Sequence, residues 1–356
     1  MSPHRPIARP VAGRPIARPV GRVLAALVAV ALAAVGCGPS GASPTPSAGP
    51  TSLVVGLGFI PSVQFAPFYL ADQAGYYRAA GLSVTFQNQV DPNLVTLVGQ
   101  GSIDVGLADA TSVPPAVSQR ITIKYLATAY GTFPSIVFAK ASSGITSAAD
   151  LKGKRIGIPG RYGSSWIMLQ ALLRSAGLTP SDVTIVEYPD YGQGAALAQG
   201  QIDAATGFDN NEPVQARLAG TAVTVLRVDP VIHLPGPGFI AGTGTLTTKR
   251  AAISAFIAAT IHAMRDIATD PSKGLEASIA AVPDLGQQRA TQAAILDATI
   301  ADWSAPGAAA GTYGAIDRAG WSATIEYMTS LGMIPTPVTV DRLIDDLGAV
   351  GSQGAP

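Results

Sequence analysis

The chain has 356 residues, 47% of them hydrophobic, with 23 lysines and arginines against 23 aspartates and glutamates. This length and apolar content suffice for one large domain or two ordinary ones with a full core. The charged fraction of 13% argues against a disordered chain and against a nucleic-acid-binding protein. Cys37 is the single cysteine, which excludes an internal disulfide and a cysteine-rich metal site. We predict neither a metal site nor a resident cofactor.

Residues 1–36 have the features of an export signal. Five arginines and no acidic residue precede an apolar run of about 14 residues, which is too short for a comfortable membrane span. Small residues directly before Cys37 resemble a bacterial lipoprotein cleavage site, after which the thiol is lipidated. Ala34 stands where that pattern usually has leucine, so an ordinary secretory signal is the alternative. Removing residues 1–36 leaves 18 basic and 23 acidic residues.

Residues 37–50 form a Ser/Pro/Gly-rich tract without core-forming side chains, which predicts a flexible tether. A lipid anchor, a tether and a globular body together predict a protein held on the extracytoplasmic face of the cell membrane.

Strands and short helices alternate from residue 51, a pattern that favours parallel pairing in an open α/β sheet. The first set comprises strands 53–59, 84–90, 103–108 and 123–129 and helices 67–80, 94–101 and 113–119. The second set comprises strands 135–139, 155–158, 183–188, 202–208, 223–228 and 239–245 and helices 148–151, 164–176, 194–199 and 212–218. Helices alone follow, at 251–268, 274–281, 289–303, 317–331 and 340–347.

One short passage occurs in both sets. Gln100-Gly-Ser-Ile-Asp104 matches Gln199-Gly-Gln-Ile-Asp203, and each aspartate opens a strand. Ligands of open α/β sheets bind at the other, carboxyl end of the strands. We therefore predict that Asp104 and Asp203 are structural.

Three passages carry a resemblance to a known family. They are residues 58–71 (GFIPSVQFAPFYLA), residues 149–160 (ADLKGKRIGIPG), and residues 200–204 (GQIDA) with Asn-Glu-Pro at 211–213. Together they resemble the substrate-binding proteins of ABC importers in the group that binds nitrate, sulfonates, thiamine-pyrimidine precursors and riboflavin. The stretch from Phe59 looks most like the riboflavin-binding branch. The pyrimidine branch typically has a Trp-Thr-Pro-Asn-like stretch and a cysteine-rich segment, which this chain lacks.

The resemblance implies a two-lobe periplasmic-binding-protein type II fold with a hinge of two crossing strands and a helical C-terminal region. Lobe one is expected at 51–138 and 243–350 and lobe two at 139–242, with crossings near Phe138 and Gly242. It also implies a ligand between the lobes and an ABC permease and ATPase as partners. We expect a monomer.

Candidate ligand-binding residues are aromatic side chains near strand ends and polar groups at carboxyl ends of strands or at a helix start. Aromatic faces suit a flat heteroaromatic ligand, and carboxylates and amides suit its N–H and hydroxyl groups. Core packing and helix capping are the alternatives for several of them. The candidates are Phe59, Gln64, Phe65, Asp109, Tyr130, Tyr162, Gly163, Ser164, Ser165, Trp166, Asp209, Asn210, Asn211 and Glu212.

The hypothesis is thus a lipid-anchored binding component of an ABC importer that takes riboflavin. Its alternative is a binder of a thiamine-pyrimidine precursor or another small heterocycle. An enzyme resembling a pyrimidine synthase on the same fold is less favoured, because no nucleophile–base motif is present and the synthase would need a histidine in its site.

Overall fold

The computed structural model describes residues 49–90, 93–306, 308–309 and 311–348. The predicted signal peptide, the proposed lipidation site Cys37 and the tether up to residue 48 lie outside the described residues. Gly49 and Pro50, the last residues of the predicted tether, are exposed and belong to no regular element.

The described strands form two separate five-stranded sheets, ordered β2-β1-β3-β10-β4 and β7-β6-β8-β5-β9. In the first sheet β2, β1 and β3 are parallel, and β10 pairs antiparallel with β3 and β4. The second sheet repeats this arrangement with β7, β6 and β8 parallel and β5 antiparallel to β8 and β9. The strands are β1 (Thr51–Leu57), β2 (Leu82–Asn88), β3 (Val105–Ala108), β4 (Ile123–Thr128), β5 (Ser135–Lys140), β6 (Arg155–Ile158), β7 (Thr184–Glu187), β8 (Ala204–Phe208), β9 (Val223–Arg227) and β10 (Gly238–Gly242).

Helices connect the parallel strands and then fill the C-terminal region. The predicted α/β fold with two lobes and a helical C-terminal region is confirmed; lobe one contains the first sheet and lobe two the second. The helices are α1 (Ala66–Gln73), α2 (Tyr76–Ala79), α3 (Asn93–Gly99), α4 (Val113–Ser118), α5 (Gly163–Ser175), α6 (Gln193–Ala198), α7 (Glu212–Leu218), α8 (Thr243–Thr269), α9 (Pro271–Ala281), α10 (Arg289–Trp303), α11 (Arg318–Ser330) and α12 (Val340–Leu343).

Helix α8 is, within the described residues, the one helix long and apolar enough to cross a membrane by length and composition. Its side chains Phe256, Ile257 and Ile261 are fully buried in the core of lobe one. There Phe256 stacks on Tyr77 with 5.0 Å between ring centroids. These contacts are those of a core helix covering its own lobe.

Three predicted elements differ clearly from the structure, one of them the expected helix 340–347, which ends at Leu343 as α12. The expected strand 239–245 is shorter, because β10 ends at Gly242 and α8 begins at Thr243. The threonines after Gly242 favour strand by propensity, and the packed helix overrides that preference. The expected helix 67–80 is divided into α1 and α2 at Gly75, whose φ of +79° lies in the left-handed region.

The chain passes between the lobes at residues 129–134 and 228–237, since β5 lies wholly in the second sheet and β10 wholly in the first. These segments precede the expected crossings near Phe138 and Gly242. They contact each other: the N–H groups of Ala129 and Tyr130 both donate to the carbonyl oxygen of Pro237 at 3.0 Å. A Cβ at Gly236 would lie 2.1 Å from the Tyr130 carbonyl oxygen, so only glycine permits this approach.

The repeated aspartates have the predicted structural role. Asp104 accepts the N–H of Val54 at 2.9 Å and pairs with Lys249 at 2.9 Å. Asp203 accepts the N–H of Arg155 at 2.8 Å and pairs with its guanidinium group. In each lobe the aspartate, which directly precedes β3 or β8, is thereby hydrogen-bonded to the backbone of the first parallel strand.

Candidate functional site

A pocket that opens to solvent lies between the two lobes at the carboxyl ends of the parallel strands. Small-molecule sites of open α/β sheets lie at this end of the strands. Lobe one supplies the turn after β1, the end of β3 and parts of both crossing segments, and lobe two supplies the rest. The lining residues are Gly58, Phe59, Gln64, Phe65, Leu107, Ala108, Asp109, Tyr130, Pro159, Tyr162, Gly163, Ser164, Ser165, Tyr191, Gln193, Gly207, Phe208, Asn211, Glu212 and Pro237.

Most of the candidate residues share this one pocket. They come together because they follow different parallel strands, whose carboxyl ends meet at the same edge of each sheet. The candidates in the lining are Phe59, Gln64, Phe65, Asp109, Tyr130, Tyr162, Gly163, Ser164, Ser165, Asn211 and Glu212.

Trp166 is a candidate that the structure places outside the lining. It lies inside α5 and packs against the buried side chains of that helix. The guanidinium carbon of Arg161 lies 5.3 Å from its ring centroid, a cation–π contact. Trp166 therefore packs against the core, which is the alternative to ligand binding given above.

Asn210 lies behind the pocket and links the lobes. Its Oδ1 accepts a hydrogen bond from Gln64 Nε2 at 3.1 Å, and its Nδ2 donates to Thr299 Oγ1 at 3.0 Å. All three side chains are buried, and both of its partners belong to lobe one. Asn210 thus positions Gln64, which does line the pocket, instead of reaching into the pocket itself.

Asp209 also lies outside the lining. It forms an ion pair with Arg227 of its own lobe and faces Asp302 at the end of α10. Among the described residues, Asp209 Oδ1 and Asp302 Oδ2 have no hydrogen-bond donor. Burial and the neighbouring Asp209 carboxylate raise the pKa of Asp302 to about 8. A proton held by Asp302 accounts for this arrangement of two facing carboxyl groups.

The lining includes residues that sequence reasoning missed, chiefly Tyr191 and Gln193. Tyr191 follows β7 in the turn Pro-Asp-Tyr-Gly at 189–192, an aromatic residue in a turn like Tyr162, so the same rule could have found it. Gln193 opens α6, and nothing in the local sequence distinguishes it from other helical glutamines.

Aromatic side chains from the two lobes meet at the pocket. Phe59 of lobe one and Tyr191 of lobe two form an edge-to-face pair with centroids 5.0 Å apart. Tyr162 stands at the N-terminal cap of α5 in extended conformation, and its ring lies over the backbone of Gly160, where a Cβ would meet it at 2.2 Å. These rings provide flat apolar faces for a heteroaromatic ligand.

A carboxyl of lobe one contacts the first turn of α5. Asp109 Oδ2 accepts the N–H of Ser164 at 3.1 Å. Gly163 permits this approach because its φ of +62° lies in the left-handed region that glycine tolerates. Burial raises the pKa of Asp109, and the hydrogen bonds from Ser164 partly oppose that rise.

Two further polar groups come from lobe two. Glu212 opens α7, and its Oε2 accepts the N–H of Phe208 at 2.8 Å; burial raises its pKa to about 7. Gln193 is 1% exposed and donates from Nε2 to the Thr206 carbonyl at 3.2 Å. Its Oε1 finds no donor among the described residues and is therefore an acceptor in need of a partner.

Lysine, arginine and histidine do not occur among the described lining residues. The described part of the chain also contains no cluster of histidine, cysteine, aspartate and glutamate able to hold a metal ion. The site therefore combines aromatic faces with carboxyl and amide groups.

Two α/β lobes joined by paired crossing segments, with a pocket between them, define a type II periplasmic binding protein fold. The structure is similar to that of the alkanesulfonate-binding protein SsuA of Xanthomonas axonopodis, with a TM-score of 0.67 and 20% identity over 84% of this chain and 100% of that chain.

Sequence comparison then gives the family. The profile described as NMT1/THI5 like matches residues 62–274, and the chain belongs to this family. The riboflavin-binding protein RibY of Chloroflexus aurantiacus is 32% identical over 312 residues, covering 85% of this chain and 87% of RibY. The 4-amino-5-hydroxymethyl-2-methylpyrimidine phosphate synthase of Aspergillus parasiticus is 27% identical over 235 residues, covering 62% of this chain and 68% of the synthase.

Proposed function

We propose that the protein is the extracytoplasmic binding component of an ABC importer that captures riboflavin and delivers it to a permease and its ATPase. The observation that carries the proposal is the likeness to RibY, which extends over both lobes. The pocket agrees in chemistry, because riboflavin has a flat tricyclic ring, a polar ring edge and a hydroxylated side chain.

The lining suggests how the ligand is held. Phe59, Tyr162 and Tyr191 supply faces for the ring, each such contact adding about 0.5–1.5 kcal/mol beyond area burial. Gln193 Oε1 accepts a hydrogen bond from the N–H of the ring edge, and the ligand thereby supplies the donor that this oxygen lacks among the described residues. Carboxyl and amide groups on the pocket wall, Asp109 and Glu212 among them, accept from the ribityl hydroxyls.

Fluorescence titration tests the proposal directly. The purified protein is unfolded and refolded to remove carried-over ligand and then titrated with riboflavin. We expect quenching that saturates near one riboflavin per protein. Absence of quenching at micromolar concentrations would overturn the riboflavin assignment.

We also propose export and anchoring, from the pattern of residues 1–36 and the small residues before Cys37. Lipidation converts Cys37 into a membrane anchor, and the tether lets the body reach its permease. In cells, Cys37→Ser should move the protein from the membrane to the soluble extracytoplasmic fraction. Unchanged membrane association of Cys37→Ser would contradict the anchor.

A second candidate ligand is a thiamine-pyrimidine precursor, favoured by the similarity to the Aspergillus synthase. Mass spectrometry of the small molecule released from freshly purified protein separates the candidates. Riboflavin supports the first candidate, and a substituted aminopyrimidine supports the second.

We propose binding and not catalysis. A synthase of this family would need a histidine at the site, whereas His233 and His262 are exposed and outside the pocket lining. His233 instead pairs with Asp317 at 3.4 Å. Formation of a pyrimidine product that His233→Ala abolishes would overturn this part of the proposal.

A further inference from the structure

The start of α5 forms one wall of the pocket. Tyr162, Gly163, Ser164 and Ser165 all belong to the lining, and the helix continues to Ser175. A helix N-terminus carries free N–H groups and a positive partial charge, so it is a favourable place for a phosphate or sulfonate group of a ligand.

In this protein a carboxyl group of the chain itself occupies the N-terminus of α5. Asp109 enters from the opposite lobe, and its Oδ2 accepts the Ser164 N–H at 3.1 Å. An anionic ligand group would have to displace this carboxyl and would then lie beside it. A second carboxyl, Glu212, lines the same pocket.

The positive charges that could offset these carboxyls are engaged elsewhere. Arg161 is the nearest cation to the start of α5 in sequence; it is exposed and pairs with Glu187 at 3.1 Å. Arg227 pairs with Asp209 behind the pocket. The described lining contains no basic side chain that could neutralise a bound anion.

We propose that Asp109 is a specificity-determining residue that excludes anionic ligands, so that the site takes an uncharged vitamin and rejects its phosphate ester. The inference rests on the proposed function for the identity of the vitamin. It places the protein apart from SsuA, which shares the fold and is an alkanesulfonate-binding protein. It also disfavours a phosphorylated pyrimidine as ligand.

The test compares riboflavin with riboflavin 5′-phosphate by flavin fluorescence titration. Asp109 occupies the Ser164 N–H that a phosphate oxygen would need, and the described lining offers no basic side chain, so we expect wild type to prefer riboflavin by roughly 100-fold or more. Asp109→Ala should lower this ratio at least about tenfold, because it removes the carboxyl group and frees the Ser164 N–H for a phosphate oxygen. Asp109→Asn should give an intermediate ratio, because its amide oxygen still occupies that N–H.

Asp297→Asn is the matched control, since it removes one exposed carboxylate on α10 outside the lining. Its ratio should equal that of wild type. Equal affinity of wild type for the two flavins would overturn the inference without any variant. An unchanged ratio in a folded Asp109→Ala or Asp109→Asn would also overturn it.

A second measurement separates this inference from the riboflavin assignment. Inorganic phosphate at constant ionic strength should raise the melting temperature of Asp109→Ala more than that of wild type or Asp297→Asn. If wild type binds neither flavin, the riboflavin assignment fails, and this phosphate comparison alone decides the role of Asp109. Equal shifts in all three proteins would then overturn it.

Discussion

The two lobes share one sheet arrangement, in which the aspartates at the strand starts have matching roles and the aspartates at the strand ends have different ones. At the amino ends of the parallel strands Asp104 and Asp203 have the same role, each accepting a backbone N–H from the first strand of its lobe. At the carboxyl ends Asp109 accepts a backbone N–H from α5 of the other lobe, whereas Asp209 pairs with Arg227 of its own lobe and faces the carboxyl of Asp302 on α10. The strand starts therefore maintain the fold, whereas the strand ends, where the lobes face each other, differ between the lobes.

Asp104→Ala should have the largest effect on the fold. The change leaves the Val54 N–H and the Lys249 ammonium group without their buried acceptor. We expect a loss of about 3 kcal/mol in the free energy of unfolding, measured by urea denaturation. A loss below about 0.5 kcal/mol, the size that ordinary surface substitutions reach, would contradict the structural role of Asp104.

Tyr162→Ala tests the pocket instead of the fold. It removes one aromatic face and should weaken riboflavin binding about five- to hundred-fold, or about 1–3 kcal/mol, while the melting transition stays cooperative. Tyr76→Ala is the control, because Tyr76 lies in α2 outside the lining. Equal affinities of the two variants would show that Tyr162 does not contact the ligand.

Asp302→Asn tests the contact between Asp302 and Asp209. The raised pKa of about 8 means that the folded chain holds a proton which the unfolded chain releases near pH 4. Stability is therefore lost progressively as pH rises from about 4 towards 8. The facing groups are Asp209, Asp229, Arg227 and Tyr130, and of these Arg227 opposes the shift.

Asp302→Asn should remove much of this slope and leave the variant about 1–2 kcal/mol more stable than wild type at pH 8. Denaturation curves at pH 5.5 and pH 8 provide the measurement. The variant should keep a smaller decrease of stability with rising pH, because the pKa of Glu212 is also raised, to about 7. A variant with the wild-type slope would show that Asp302 does not hold this proton in the folded chain.

Asp203→Ala should have the smallest effect of the series. Its partner Arg155 keeps 46% of its side-chain surface exposed, and water can replace much of the ion pair. We expect a loss of about 1 kcal/mol, well below that of Asp104→Ala. Losses of equal size in the two variants would remove the difference between the strand starts.

Sequence periodicity predicted most of the fold because apolar runs and glycine stops delimit strands and helices locally. It placed the crossings inside β5 and at the end of β10, although the chain crosses before each of these strands, because the sheet that a strand joins is a tertiary property. Sequence periodicity also predicted that β10 continues through Thr243 and Thr245, whereas the structure places both threonines in the packed helix α8.

The site was predictable wherever position on a parallel strand decides the outcome, as for Asp109 and Glu212. The site was not predictable where contacts with residues distant in sequence determine the position of a side chain. Asn210 follows the same strand as Glu212, yet Gln64 and Thr299 from the other lobe hold it behind the pocket. Gln193 could be recognised as a site residue only from the structure, which places it in the pocket lining with its Oε1 lacking a donor among the described residues.

One ligand should bridge both lobes, so that the bound and free forms of the protein differ in their degree of closure. Small-angle X-ray scattering with and without saturating riboflavin tests it most directly. We predict a smaller radius of gyration with riboflavin, and for Tyr162→Ala the same compaction at a higher riboflavin concentration. An unchanged radius of gyration of wild type at proven saturation would contradict the account and require a rigid pocket.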